Sequence, residues 1–221
     1  MRLPPPYRRG VSLQPMTSAV TRATSALLLS EVTRRFAGRT VWAPLDLQLD
    51  AGTVSIVTGG NGSGKTTLLR LAAGLLQPTT GSRTCPGTAL YLRAGAGLRS
   101  AQTVGDAVAT TAALVGRRGA SGPALTLLGV DSHADRRLGT LSAGERVRAT
   151  LAVAVAVEPT VLCLDEPTGV LDERGVGVLV AVLGHLRSAG SAVLVATHQP
   201  DALLPVADAH LRLAAGRLEE I

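Results

Sequence analysis

Hydrophobic and polar positions follow two different patterns along this chain. Residues 26–36 have the composition of a strand, and residues 45–50 alternate strictly between apolar and polar. The later apolar runs at residues 161–164 and 192–195 show no alternation, which is typical of parallel strands covered on both faces. The pattern therefore predicts an antiparallel beginning followed by a parallel sheet.

Segments with helical character separate the later strands. We predict helices at residues 67–73, 103–114, 120–128, 142–157 and 173–188, further strands at 54–57 and 88–92, and a hairpin over 209–221. Ser142 is a good N-cap, and Glu145 completes a capping box with it. Strands that alternate with helices predict an α/β fold, a mostly parallel sheet with helices on both faces and an added N-terminal antiparallel β layer. Residues 77–81, rich in Pro, Thr and Gly, are predicted to break the chain.

Bulk properties limit the class of protein. A length of 221 residues suits one domain, placed at residues 25–221, and residues 1–24 carry no periodicity and are predicted to be a disordered tail. The net charge is +6, yet the arginines are scattered and no basic, aromatic face is visible, so no nucleic-acid partner is expected. Cys163 lies in an apolar run and is interpreted as a core residue. No run approaches the ~20 apolar residues of a membrane span, so a cytoplasmic protein is expected.

One glycine-rich segment fits the phosphate-loop motif G-x-x-x-x-G-K-[ST], and it stands between a predicted strand and a predicted helix. Its residues, with the first residue of the helix, are Gly59, Gly60, Asn61, Gly62, Ser63, Gly64, Lys65, Thr66 and Thr67. Backbone N–H groups of such a loop surround phosphate oxygens. Lys65, the only lysine among 22 basic residues, would reach the β and γ phosphates, and Thr66 would hold Mg²⁺.

Paired carboxylates follow the apolar run at 161–164. Asp165 and Glu166 are expected at the carboxyl edge of the sheet, where ligands bind in such folds. Asp165 is predicted to organise Mg²⁺, and Glu166 to act as the general base toward water. His198 follows the last parallel strand and is a candidate contact to a γ-phosphate.

The order of these motifs resembles the nucleotide-binding subunit of ATP-binding cassette (ABC) transporters, over about residues 25–221. The sequence 141–145, LSAGE, resembles the family's LSGGQ signature and precedes the carboxylates as the family requires. Residues 169–172 resemble the D-loop, and Thr197-His198 the switch-histidine loop. Phe36 falls where the family places an aromatic residue that stacks on adenine.

The resemblance implies a P-loop NTPase core, a helical signature subdomain at roughly residues 95–157, and ATP and Mg²⁺ as ligands. It also implies a second cassette, identical or related, whose Ser142 and Gly144 complete the site across a dimer interface. Closure of the dimer would drive transport through separately encoded transmembrane permease subunits, with this chain at the inner face of the membrane. The alternatives are a soluble ABC ATPase without a transport role and a weakly hydrolysing regulatory cassette.

Three positions depart from the family pattern. The signature has Ala143 for glycine and Glu145 for glutamine, and Gly60 stands where many members have proline. The family's glutamine after the strand at 88–92 is missing, and Ala94 or Gly95 takes its place. ATP binding is expected to survive these changes, whereas the missing glutamine puts coupling to a membrane partner in doubt.

Overall fold

A computed structural model describes residues 24–93 and 96–221. The strands are β1 (Ser25–Thr33), β2 (Arg35–Phe36), β3 (Arg39–Thr40), β4 (Leu45–Asp50), β5 (Val54–Thr58), β6 (Thr80–Thr84), β7 (Ala89–Arg93), β8 (Val161–Asp165), β9 (Ala192–Ala196), β10 (Ala209–Ala214) and β11 (Arg217–Glu220). The α-helices are α1 (Lys65–Ala72), α2 (Val104–Leu114), α3 (Ser121–Leu127), α4 (Ala143–Val157) and α5 (Glu173–Ser188). The tail predicted at residues 1–24 falls almost wholly outside the described residues.

The central sheet has the strand order β11-β10-β5-β9-β8-β7. β10, β5, β9, β8 and β7 pair in parallel, and β11 joins the edge as the antiparallel arm of a C-terminal hairpin. All residues of β8 and β9 are buried, as their unbroken apolar sequences predicted. The predicted α/β class with a mostly parallel sheet is confirmed.

Two apolar cores lie on opposite faces of this sheet. One contains Leu162 and Leu164 of β8 and packs against α2, α3, α4 and α5. The other contains Val161 and Cys163 of the same strand and packs against α1 and the N-terminal strands. Because neighbouring strand residues point to opposite faces, a single apolar strand supplies both cores. Burial raises the pKa of the Cys163 thiol to about 12, so it stays a neutral core side chain.

The antiparallel layer contains a strand that the sequence did not predict. β1 pairs with β4 on one side and with β6 on the other, and β2 and β3 form a separate short hairpin. The prediction of a chain break through residue 81 is wrong in part, since β6 begins at Thr80. Gly81 has φ +81°, and a Cβ there would collide with the backbone oxygens of Ser30 and Glu31. This glycine lets β6 approach an irregular part of β1 and does not mark a turn.

The helices on the other face follow their predicted bounds closely. α5 has the predicted bounds, and Thr103 caps α2 by accepting a hydrogen bond from the Asp106 N–H. The capping box of α4 is confirmed: Ser142 Oγ accepts from the Glu145 N–H, and Glu145 Oε2 accepts from the Ser142 N–H. α4 packs against α2 and α3. That these helices form a separate subdomain beginning near residue 95 stays a prediction. Within the described residues, no helix is both long and apolar enough to cross a membrane.

Candidate functional site

The glycine-rich loop joins β5 to the N-terminus of α1, and its backbone can be adopted only with glycine at two positions. Gly64 has φ +104°, and a Cβ there would lie 2.7 Å from atoms of Trp42 and Val41. Gly59 has φ +151°, and its Cβ would collide with the Leu213 carbonyl oxygen. The backbone of the loop therefore lies close against two other parts of the fold, the segment of Val41 and Trp42 and strand β10.

Lys65 is the first residue of α1, and its side chain turns back into the loop. The residue is 8% exposed, and Nζ donates to the carbonyl oxygens of Gly59 at 2.7 Å and Gly60 at 3.2 Å. A buried ammonium needs such acceptors, and the flexible lysine stem lets it trade them for phosphate oxygens. The contact with a phosphate stays a prediction.

Asp165 and Thr66 are brought together by the packing of β8 beside α1. Thr66 Oγ1 donates to Asp165 Oδ2 at 2.9 Å, and Asp165 is only 2% exposed. A second donor reaches the same oxygen: Tyr91 of β7 donates its hydroxyl to Asp165 Oδ2 at 2.8 Å. Burial first, and then this hydrogen bond, raise the pKa of the Tyr91 hydroxyl.

Glu166 directly follows β8 and turns away from the sheet. Its φ of +52° is in the left-handed region, which costs a non-glycine residue of order 1 kcal/mol. Its N–H donates to the Ala196 carbonyl oxygen, and its Oε2 lies 2.8 Å from His198 Nδ1. The ends of β8 and β9 therefore place these two predicted site residues in direct contact.

A cleft of about 410 Å³ gathers most of the predicted nucleotide-binding residues. Its lining consists of Phe36, Val41, Asn61, Gly62, Ser63, Gly64, Lys65, Thr66, Thr67 and Glu166. We call it the phosphate-loop cleft. Phe36 is 44% exposed, and the Arg34 guanidinium stacks over its ring at 4.7 Å from the centroid. An aromatic ring thus stands at the mouth of a cleft whose floor is the glycine-rich loop.

Ser142 and Gly144 line a different cleft of about 430 Å³, together with Glu145, Arg148, Val170, Leu171, Asp172, Arg174, Gly175 and Val178. We call it the signature cleft. It contains the beginnings of both α4 and α5. The Glu145 side chain lies 3.3 Å from both Arg136 Nη1 and His133 Nε2. The pKa of Glu145 lies below its ordinary value, chiefly because the Ser142 N–H donates to the carboxylate.

The predicted metal ligands are hydroxyl and carboxylate oxygens, the atoms that Mg²⁺ prefers. Thr66 and Asp165 bring two such oxygens within 2.9 Å of each other. Among the described residues there is no cluster of three or more His, Cys, Asp or Glu side chains suited to a metal. The hydroxyl of Thr66 and the carboxylate of Asp165 fit Mg²⁺, which takes few protein ligands and completes its shell with water and substrate phosphates.

Sequence reasoning missed Tyr91 and Arg34. The signal for Tyr91 was the presence of one tyrosine in a strand whose other inward residues are aliphatic. The sequence could not show that Asp165 is the partner of Tyr91, because only the strand order places β7 beside β8. Ala94 and Gly95, the positions assigned to the missing glutamine, lie outside the described residues.

Known proteins resemble this chain over most of its length. Residues 43–169 match a protein family described as ABC transporter. The chain is 34% identical over 212 residues to the phosphonates import ATP-binding protein PhnC 1 of Natronomonas pharaonis, covering 87% of this chain and 91% of the relative. It is 39% identical over 188 residues to the cytochrome c biogenesis ATP-binding export protein CcmA of Nitrobacter winogradskyi, covering 80% and 92%. A solved ATP-binding subunit of an ABC transporter shares the fold, with a TM-score of 0.80 and 19% identity over 89% of this chain and 90% of that one.

Proposed function

Because the chain belongs to the ABC transporter family, we propose that it is the ATP-binding and ATP-hydrolysing subunit that drives transport through separate membrane subunits. One observation carries the proposal: a single cleft joins an exposed aromatic ring, the glycine-rich phosphate loop and Glu166. The aromatic ring suits the adenine base, the loop suits the phosphates, and the carboxylate suits the attacking water of an ATP-hydrolysing site.

Phosphate binding rests on the loop and on Lys65. The backbone N–H groups of residues 61–66 and the N-terminus of α1 favour negative charge. Lys65 leaves the carbonyl oxygens of Gly59 and Gly60 and pairs with the β and γ phosphates. Phe36 stacks on the adenine, with Arg34 supporting the other face of its ring.

Thr66 and Asp165 would hold Mg²⁺, which would neutralise charge on the phosphates when bound. Glu166 accepts the proton of the attacking water as general base. Its hydrogen-bonded contact with His198 fixes the orientation of the carboxylate, and the exposed imidazole is free to approach a γ-phosphate. Glu166 keeps its strained backbone because the loop after β8 needs its side chain in the cleft.

The signature cleft serves a second cassette. Ser142 and Gly144 do not line the phosphate-loop cleft of their own chain, so they act on a nucleotide held by a partner copy or a related subunit. The N-terminus of α4 supplies backbone N–H groups and partial positive charge to that nucleotide. ATP binding then closes the dimer, and hydrolysis opens it.

Membrane subunits encoded elsewhere receive this motion, and the chain sits with them at the inner face of the membrane. The names of two relatives include import for one and export for the other, so the likeness to them does not assign a direction of transport to this chain. Ala94 or Gly95 takes the place of the family's glutamine, and this replacement bears on coupling to the membrane subunits.

Replacing Glu166 by glutamine tests the proposal. Glu166→Gln is expected to lower phosphate release at least about a hundredfold, because a general base contributes at least that much. ATP binding remains, so an ATP-trapped dimer is expected on gel filtration.

Glu219→Gln is the matched control, since Glu219 is exposed on β11, far along the chain from the site. Unchanged hydrolysis in Glu166→Gln would remove Glu166 from the role of base. Absence of ATP binding in the wild-type chain would contradict the proposed function as a whole.

A further inference from the structure

Tyr91 and Thr66 donate to the same oxygen of a buried carboxylate. Asp165 Oδ2 accepts from Thr66 Oγ1 at 2.9 Å and from the Tyr91 hydroxyl at 2.8 Å. With 2% of its surface exposed, Asp165 has little access to solvent. A carboxylate buried to this extent depends on such donors, because water cannot replace them.

The two donors come from different parts of the fold, one beside the glycine-rich loop and the other within the central sheet. Thr66 belongs to the first turn of α1, directly after the glycine-rich loop that meets the nucleotide. Tyr91 belongs to β7, which pairs with β8 along its whole length, and its ring packs into the core on the α1 face. The Arg70 guanidinium lies over that ring at 5.7 Å from its centroid. Tyr91 is therefore the donor whose position does not depend on the loop.

We propose that Tyr91 is a positioning residue that fixes the Asp165 carboxylate in the orientation in which it supports Mg²⁺. The inference rests on the proposed function, since Asp165 is a metal-binding residue only within it. If the Thr66 hydroxyl were drawn to Mg²⁺, the Tyr91 hydroxyl on the neighbouring strand would remain as a donor to Asp165 Oδ2. Groups that orient metal-binding side chains in this way typically change metal affinity 10–100-fold when they are removed.

Tyr91→Phe removes the hydroxyl and keeps the ring. ATP affinity is measured by calorimetry in Mg²⁺ and, separately, in EDTA. We expect about tenfold weaker binding in Mg²⁺ and unchanged binding in EDTA, because only the metal-dependent part of the affinity uses Asp165. A purely structural role of Tyr91 would lower both affinities alike, and that result, or no loss in either condition, would overturn the proposal.

Thr111→Val is the matched control. Thr111 Oγ1 donates to the Ala107 carbonyl oxygen inside α2, so this variant also loses one hydroxyl hydrogen bond, but away from the cleft. It is expected to bind like the wild type in both conditions, and a loss in Mg²⁺ as large as that of Tyr91→Phe would count against the inference. If the wild-type chain binds no ATP, the proposed function fails; if it binds and Tyr91→Phe binds equally well, only the inference about Tyr91 fails.

Discussion

The two clefts have nearly the same volume, about 410 and 430 Å³, but they are built from different chemistry. The phosphate-loop cleft has a floor of glycine-rich backbone with one buried ammonium. The signature cleft has two helix N-termini and exposes side chains of both charges, among them Glu145, Arg148, Asp172 and Arg174. Under the proposed function, the first cleft holds the nucleotide and the second completes the site of a partner cassette.

The two clefts differ in the charges that they present to an anion. Lys65 attracts an anion directly. In the signature cleft Glu145 places a carboxylate beside the end of a helix expected to meet ATP, where the family carries glutamine. The Arg136 guanidinium lies 3.3 Å from that carboxylate and offsets its charge, and His133 Nε2 lies at the same distance. The clefts should therefore respond differently to mutation, one in the affinity for ATP and the other in dimer closure.

Lys65→Ala should have the largest effect. It removes the only ammonium side chain of the phosphate-loop cleft, and charge-assisted hydrogen bonds of 1.5–3 kcal/mol correspond to a loss of on the order of 100-fold in ATP affinity. Calorimetry with Mg-ATP measures this loss of ATP affinity. Lys65→Arg should fail nearly as badly, because a rigid guanidinium cannot replace a compact charge held between two loop carbonyls. Undiminished ATP affinity in Lys65→Ala would contradict the expectation that mutations in the phosphate-loop cleft act on ATP affinity.

Gly64→Ala should come next, acting through the shape of the loop. The new Cβ would lie 2.7 Å from Trp42 and Val41, and φ +104° is unfavourable for alanine by roughly 1–3 kcal/mol. Both thermal stability and ATP affinity should fall, as measured by melting and calorimetry.

Gly62→Ala is the matched control for that prediction. Gly62 also has a positive φ, +78°, but a Cβ there meets nothing within 4 Å. Gly62→Ala should lower the free energy of unfolding only by the cost of backbone strain, roughly 1–2 kcal/mol. Equal losses in the two variants would show that contact with Trp42 does not shape the loop.

Ser142→Ala should separate the clefts most clearly. It removes the N-cap of α4, which lowers the free energy of unfolding by about 1 kcal/mol. ATP affinity of the single chain should stay unchanged, while the ATP-trapped dimer of the Glu166→Gln background should weaken on gel filtration. A loss of ATP affinity in the monomer would mean that Ser142 acts on the nucleotide of its own chain, which would contradict its assignment to the signature cleft.

Arg136→Gln should have the smallest effect, because exposed ion pairs contribute ~0–1 kcal/mol. In the Glu166→Gln background the ATP-dependent dimer should weaken a few-fold, since Glu145 loses a neutralising neighbour. Adding Glu145→Gln should restore closure, because no charge remains to be offset. Continued weakness in the double variant would mean that Arg136 acts through its bond to the Thr140 carbonyl oxygen instead.

Much of the site was predictable because its signals are local. The phosphate loop, the capping box of Ser142 and Glu145, and the apolar strands before Asp165 depend on residues that are close in sequence. Such patterns report backbone conformation directly. β6 was missed for the opposite reason: it is polar and mostly exposed, and Gly81 indicates a turn unless the neighbouring strand is known.

By itself, the sequence determined most element types, the glycine-rich loop and the order of the chemical motifs. Only the tertiary structure decided that Phe36 joins the phosphate loop in one cleft and that Ser142 and Gly144 stand in another. It also decided that Tyr91 donates to Asp165, 74 positions further along the chain. The physical reason is that strand order and packing bring distant residues together. Hydrophobic burial drives that packing and is non-directional, so a local pattern shows which residues are buried but not which distant residues become neighbours.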